Sequence, residues 1–162
     1  MRKSMIPSDP DREATRAASS AVDAWLDLEA LAQIEVTSEE PTNPVEGALS
    51  PGDDRGWRAG HAGQQTIRIL FDRPVNVRRV RLVFIEPEAT RTQEFVLRWS
   101  ADGGRSLRDL VRQQWNFSPT GALREVEDYR FDLSGVTTLE LSIVPDVSGG
   151  PTRASLAQWQ VA

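Results

Sequence analysis

Tryptophan, arginine and paired carboxylates carry most of the potential chemistry of this chain. Histidine occurs once, at His61, and cysteine is absent. Thiolate nucleophiles, disulfides and thiolate metal sites are therefore excluded, and no second histidine is at hand for an acid–base relay or a metal pair. The chain also has no Gly-x-Ser-x-Gly elbow to expose a serine nucleophile. Paired acids occur at Glu39/Glu40, Asp53/Asp54 and Glu125/Glu127. Adjacent acids of this kind are ordinary solvated residues of loops and wet strand faces. A glycosidase would need two carboxylates held at a set separation across a cleft, which spacing along the chain does not supply. The expectation is a protein that is not an enzyme.

Binding chemistry is better represented. In Gln113-Gln114-Trp115-Asn116-Phe117 an exposed indole can stack on the apolar face of a sugar ring while Asn116 bonds its hydroxyls. Equally, an aromatic pair two residues apart on a strand points to one side, so Trp115 and Phe117 can both belong to the core. Arg58 and His61 follow Trp57 and offer donors to ligand oxygens, with Trp57 itself reading as a plug beneath a loop. Arg91 can clamp a carboxylate or a vicinal diol, with Glu94 holding it in place. The plainer alternative for that pair is a surface ion pair of little energetic weight. Trp25, Trp99 and Trp159 read as core. The candidate ligand-binding set is thus Arg58, His61, Arg91, Trp115 and Asn116.

Strands must position these groups. Ile67, Ile69 and Phe71 alternate with polar residues, as do Val80, Leu82 and Phe84, and then Phe95, Leu97 and Trp99. Period-two alternation marks strands with one buried and one wet face, placing Arg68, Arg79, Arg81 and Arg98 outside. Asp102-Gly103-Gly104 supplies the positive-φ positions of a tight reversal, predicting a hairpin. Leu107 to Trp115 reads as a strand or an irregular edge. Tyr129, Phe131 and Leu133 form a further strand, Ser134-Gly135 a turn, and Leu139, Leu141 and Ile143 another strand. Ala154 to Val161 closes the set with Trp159 and Val161 inward. Ile34 to Ser38 is a first short strand, followed by a long Pro- and Gly-rich loop to Gly56. About seven or eight short strands with turns between them predict an all-β antiparallel jelly-roll β-sandwich. Residues 1–33 read as an N-terminal helical arm, capped at Ser8 or Asp9 and striped by Val22, Trp25, Leu26 and Leu28. Residues 34–162 are the sandwich domain.

The 162 residues carry 19 basic and 24 acidic side chains, a net charge of −5. Phosphate binding needs a concentrated positive surface, so nucleic acid is not the expected partner. The sequence has no apolar run long enough for a signal core or a bilayer span, and the expectation is a cytoplasmic protein without a transmembrane segment.

In order, Ile34-Glu35-Val36-Thr37-Ser38-Glu39, Gly56-Trp57-Arg58-Ala59, Gln65 to Phe71, Val77 to Phe84 and the Phe95–Gly104 strand with its Ser-x-Asp-Gly-Gly hairpin resemble the discoidin, or coagulation-factor type C, domain. That family belongs to the galactose-binding-like jelly rolls, with many carbohydrate-binding modules. The resemblance covers about residues 34 to 162 and leaves out the arm. It implies a non-catalytic module whose end loops hold a carbohydrate or similar polar ligand, or alternatively an intracellular module that binds a protein surface and has no sugar site. A single module of this sort binds weakly, so avidity would call for an oligomer or a partner. The resemblance also implies a structural calcium ion after the first strand, for which Asp53 and Asp54 offer carboxylates. Gln158 stands where a family acid would often help.

Overall fold

The computed structural model describes residues 24–162. Its strands are β1 (Ala32–Val36), β2 (Trp57–Arg58), β3 (Gln65–Ile85), β4 (Arg91–Ser100), β5 (Arg108–Phe117), β6 (Arg124–Val144), β7 (Ser155–Leu156) and β8 (Gln158–Val161). Two single-turn helices, α1 (Leu28–Leu31) and α2 (Glu46–Leu49), complete the set. The helix expected from Ser8 lies largely outside the described residues. Within them, residues 24–27 are not helical, α1 is a separate turn in which Asp27 caps the Ala30 amide, and Gln33 already belongs to β1.

Every described pairing between strands is antiparallel, and the main sheet runs β1-β3-β6-β4-β5 with β8 on the far side of β3. Where the sequence suggests four strands joined by turns, β3 and β6 are continuous through 21 residues each. Register shifts between Leu70 and Arg79 bend them instead of reversing them, and Gly135, at φ 69°, sits inside β6. Bulges of this kind bend a strand and increase its twist, letting one ladder pass from one layer to the next. Pro74 is tolerated there because the ladder is already interrupted.

The first half of β3 and the second half of β6 thus lie with β1, β4 and β5. The other halves lie with β8. The layers meet over Phe84 and Phe95, whose rings stack with centroids 5.3 Å apart. Ile67, Leu82, Leu97, Leu139, Leu141, Trp159 and Val161 are buried around them, which is the result that alternation predicts. Trp25 and Trp99, read as core, are half-buried and carry the guanidinium groups of Arg79 and Arg108 on their rings, at 4.7 and 5.9 Å.

On the outer face of the larger layer, one row of alternating charge crosses all five strands. Glu35 meets Arg68, Arg68 meets Glu140, Glu140 meets Arg98 and Arg98 meets Asp109. Opposite charges directly across a ladder are the pairing that stabilises a sheet face.

Candidate functional site

β4 runs between two unlike ends of the sandwich. At its start the long connections converge: the Ala59 amide bonds the Ala154 carbonyl, Gly63 bonds Thr152, Val147 bonds Thr92 and Glu86 bonds Leu123. The loop after β1 is tied down from within. The Glu39 carboxylate accepts the Val45 amide at 2.6 Å, and Trp57, 1 % exposed, donates its indole N–H to the Ser38 carbonyl at 3.0 Å. The loop carries the short helix α2, whose Gly47 packs so closely on Gly56 that a Cβ would strike the Gly56 carbonyl. What reads as a long loop is a packed floor.

Over this floor lies an open cleft of ≈ 510 Å³, bounded by segments 54–58, 85–89 and 151–157. Six charged side chains line it: Arg55, Arg58 and Arg153, and Asp54, Glu86 and Glu88. Asn43, Thr152 and Ser155 add polar groups, and Ile85, 46 % exposed, lies at its edge with Pro87. Glu40 stands between two arginines, 2.5 Å from Arg153 Nη1 and 3.6 Å from Arg58 Nε. Both guanidinium groups keep N–H donors beyond those single contacts.

Glu86 forms the inner wall. Its Oε1 accepts from Arg91 Nε at 2.7 Å, and its Oε2 accepts the amides of Glu88 and Ala89 at 3.2 and 3.4 Å. Burial works to raise this carboxyl, yet the Arg91 and backbone hydrogen bonds bring it below the ordinary carboxylate value. Glu86 therefore presents a fixed negative charge to the cleft.

Of the residues chosen from sequence, Arg58 and Asp54 both line the cleft. His61 is exposed on the neighbouring loop, its Nδ1 3.3 Å from Gln65 Nε2, outside the lining. Arg91 is not a surface clamp. Its side chain is fully buried, bonded to Glu86, Gln93 and the Pro145 carbonyl and stacked 4.7 Å over Phe117. Its partner is Glu86, while Glu94 pairs with Arg112 and Gln114. Trp115 and Asn116 sit on the edge strand β5, away from the cleft lining. Trp115 is half-buried with its indole nitrogen enclosed, Phe117 is core, and Asn116 accepts from Thr92 Oγ1 at 2.6 Å. Burial sides with the core reading of that motif.

Asp53 is engaged by a neighbouring arginine. Both Asp53 oxygens are held by the forked guanidinium of Arg55, the closest contact being 2.7 Å. Among the described residues, no group of three or more acids, histidines or cysteines could hold a metal ion. A hard cation wants several oxygen ligands, and here Arg55 supplies the positive charge next to Asp53.

Sequence reasoning passed over Arg55, Glu86, Glu88 and Arg153. Two acids flanking Pro87 between strands were the available signal; Arg153 had none, because only the chain reversal after β6 brings it to Glu40.

No protein-family model matches the chain, and no curated protein matches it in sequence. Solved structures do match in shape. One is the family 32 carbohydrate-binding module of Clostridium perfringens NanJ in complex with galactose, with a TM-score of 0.62 at 16 % identity, covering 85 % of this chain and 96 % of that one. Another is the family 32 module of AlyQ in complex with 4,5-unsaturated mannuronic acid, with a TM-score of 0.61 at 16 % identity over 86 % and 98 %. A third is reduced XRCC1 bound to the catalytic domain of DNA polymerase β, with a TM-score of 0.57 at 15 % identity over 82 % and 95 %. At these identities the likeness is one of architecture: the chain has the jelly-roll β-sandwich fold found in family 32 carbohydrate-binding modules.

Proposed function

We propose that this protein is a non-catalytic binding module that takes a neutral, polyhydroxylated ligand of the saccharide class in the loop-end cleft. The observation that carries the reading is the composition of that cleft, with three guanidinium donors and three carboxylates around ≈ 510 Å³. Sugar hydroxyls both donate and accept, so a lining of both kinds suits them better than a uniformly charged one. Hydrogen bonds to charged groups contribute about 1.5–3 kcal/mol each net of exchange with water, and the costs of association and ordering are subtracted from their sum. A few of them support affinities of about millimolar to micromolar. The matched modules bound to galactose and to an unsaturated mannuronic acid add weight by analogy of fold. Among the described residues no large aromatic face opens into the cleft, since Trp57 is buried. Ile85 and Pro87 are the apolar surface available to a ring.

Titration calorimetry with galactose, neutral disaccharides and uronic acid oligosaccharides tests this, alongside the double variant Arg58→Ala/Arg153→Ala. Binding to a neutral sugar that the double variant loses supports the reading. No heat with any saccharide overturns it.

One further observation favours a second reading, a protein-binding module. Ile85, Leu123 and Val126 are exposed large apolar residues in neighbouring segments beside the cleft. The XRCC1 complex shows the same architecture engaged with a protein. A partner captured through this patch would be lost in Val126→Asp and kept in the arginine double variant.

A further inference from the structure

The wall of the cleft is connected to a buried acid, Glu125. Arg91, whose Nε holds Glu86, sends Nη1 to Gln93 Oε1 at 3.2 Å, and Gln93 sends Nε2 to Glu125 Oε1 at 3.3 Å. Glu125, 1 % exposed, lies on the same face of β6 as Glu127, whose Oε2 accepts from Tyr129 at 2.9 Å. The chain of contacts therefore runs from a surface carboxylate through a buried guanidinium and a buried amide to two carboxyl groups side by side. Two buried polar atoms along it lack a hydrogen-bond partner, Arg91 Nη2 and Glu125 Oε2.

We propose that Arg91 is a positioning residue for the cleft wall, and that the protonation of Glu125, which lies beside Glu127 on β6, governs how firmly it holds Glu86. Tyr129 donates to Glu127, while Glu125 is the buried member of the two. Around Glu125, β4 contributes Arg91 and the neutral Gln93, β6 contributes Glu127 and Tyr129, and β3 places only Phe84 and Leu82 opposite the two acids. Trp115 of β5 is the register partner of Gln93 and carries no charge. Arg91 also meets the fields of Glu86 and Asp146.

When Glu125 gives its proton to solvent, two adjacent carboxylates remain in a site with one cation. The free Nη2 of Arg91 is then drawn toward Glu125 Oε2, and the link to Glu86 loosens. Burial and the neighbouring Glu127 push the Glu125 carboxyl up to about 8, which puts this event above neutral pH. Because the Glu86 carboxyl lies below the ordinary range, it stays ionised throughout.

The importance of this coupling for a ligand rests on the cleft being the binding site; the coupling itself is measured with no ligand present. The full chain carrying ¹³C at glutamate carboxyl groups is titrated by NMR from pH 6 to 10. In the wild type the Glu86 carboxyl carbon should shift with the same midpoint as Glu125, near 8. Glu125→Gln, which keeps the shape and the Gln93 contact, should flatten the Glu86 signal. Glu127→Gln should move the midpoint to lower pH. A Glu86 signal that stays flat while Glu125 titrates overturns the proposal, as does a Glu86 shift that survives Glu125→Gln or a midpoint indifferent to Glu127→Gln. Saccharide binding can fail with all of these expectations met, so the two proposals fail separately.

Discussion

The two ends of the sandwich use polar side chains in opposite ways. At the hairpin end they are spent on the backbone: Ser100 Oγ donates to Asp102 at 2.6 Å and accepts the amides of Asp102 and Gly104, Asp102 accepts the Ser106 amide, and Thr137 accepts the Gly103 amide. The Asp102 carboxyl is brought down to about 2, first by the Ser100 hydroxyl and then by the Ser106 amide. At the cleft end the arginines keep donors in hand and stand over a floor built by other residues. One end is a closed turn whose polar groups satisfy one another. The other, about 30 Å away along the ten residues of β4, holds polar groups at a concave surface with bonds still to make. Spare hydrogen-bonding capacity over a rigid support is what a binding site requires, and among the described residues the cleft end combines the two.

The contrast breaks most severely if the floor is removed. Trp57→Ala empties a fully enclosed volume under the loop and should cost about 3–5 kcal/mol, read as a lower midpoint of chemical denaturation, with ligand binding lost at the same time. Gly47→Ala attacks the same floor by overpacking against Gly56, and about 1–3 kcal/mol of stability should go with it. At the hairpin end, Gly104→Ala places a side chain at φ 92° and should cost about 1 kcal/mol while leaving binding untouched. That separation of stability from binding sharpens the comparison, because a shared effect at both ends would dissolve it.

Acid and alkali distinguish the regions as well. Glu125 rises in the folded state from its ordinary 4.5 to about 8. The native state therefore keeps a proton that the unfolded chain releases, and its contribution to stability is full below pH 4.5 and is lost as pH rises toward 8. Denaturation midpoints measured across that window should fall in the wild type and fall less in Glu125→Gln. Asp102 works the other way: its contribution is present above pH 3.8 and disappears as pH falls through about 2. The smallest change in stability is expected for Arg58→Ala, within about 0.5 kcal/mol, since an exposed guanidinium 3.6 Å from Glu40 contributes little to folding.

Local rules reached the hairpin end almost completely. Alternation in Phe95-Val96-Leu97 and the Asp102-Gly103-Gly104 reversal are written within a dozen residues, and β4 and β5 pair across that turn as expected. The same rules mistook Ser134-Gly135 for a reversal, because a positive-φ glycine serves a bulge as well as it serves a turn. They also turned Arg91 outward. Alternation alone permits that reading, and only the nearby Glu86 and Pro145 carbonyl make an enclosed guanidinium tolerable. Of the candidate ligand-binding residues only Arg58 lines the cleft, and Asp54, which the sequence marks as a metal ligand, lines it as well. Glu40 and Arg153 meet through the tertiary fold, from opposite ends of the domain, so no spacing along the chain encodes their contact.

The most direct test of the cleft as a binding site is a backbone-amide NMR titration of the full chain with neutral saccharides at neutral pH. Shifts confined to residues 54–58, 85–89 and 151–157, with Gly103 and Gly104 unmoved, are the predicted result. Shifts centred on Trp115 and Asn116 of β5, or none with any saccharide, would contradict it.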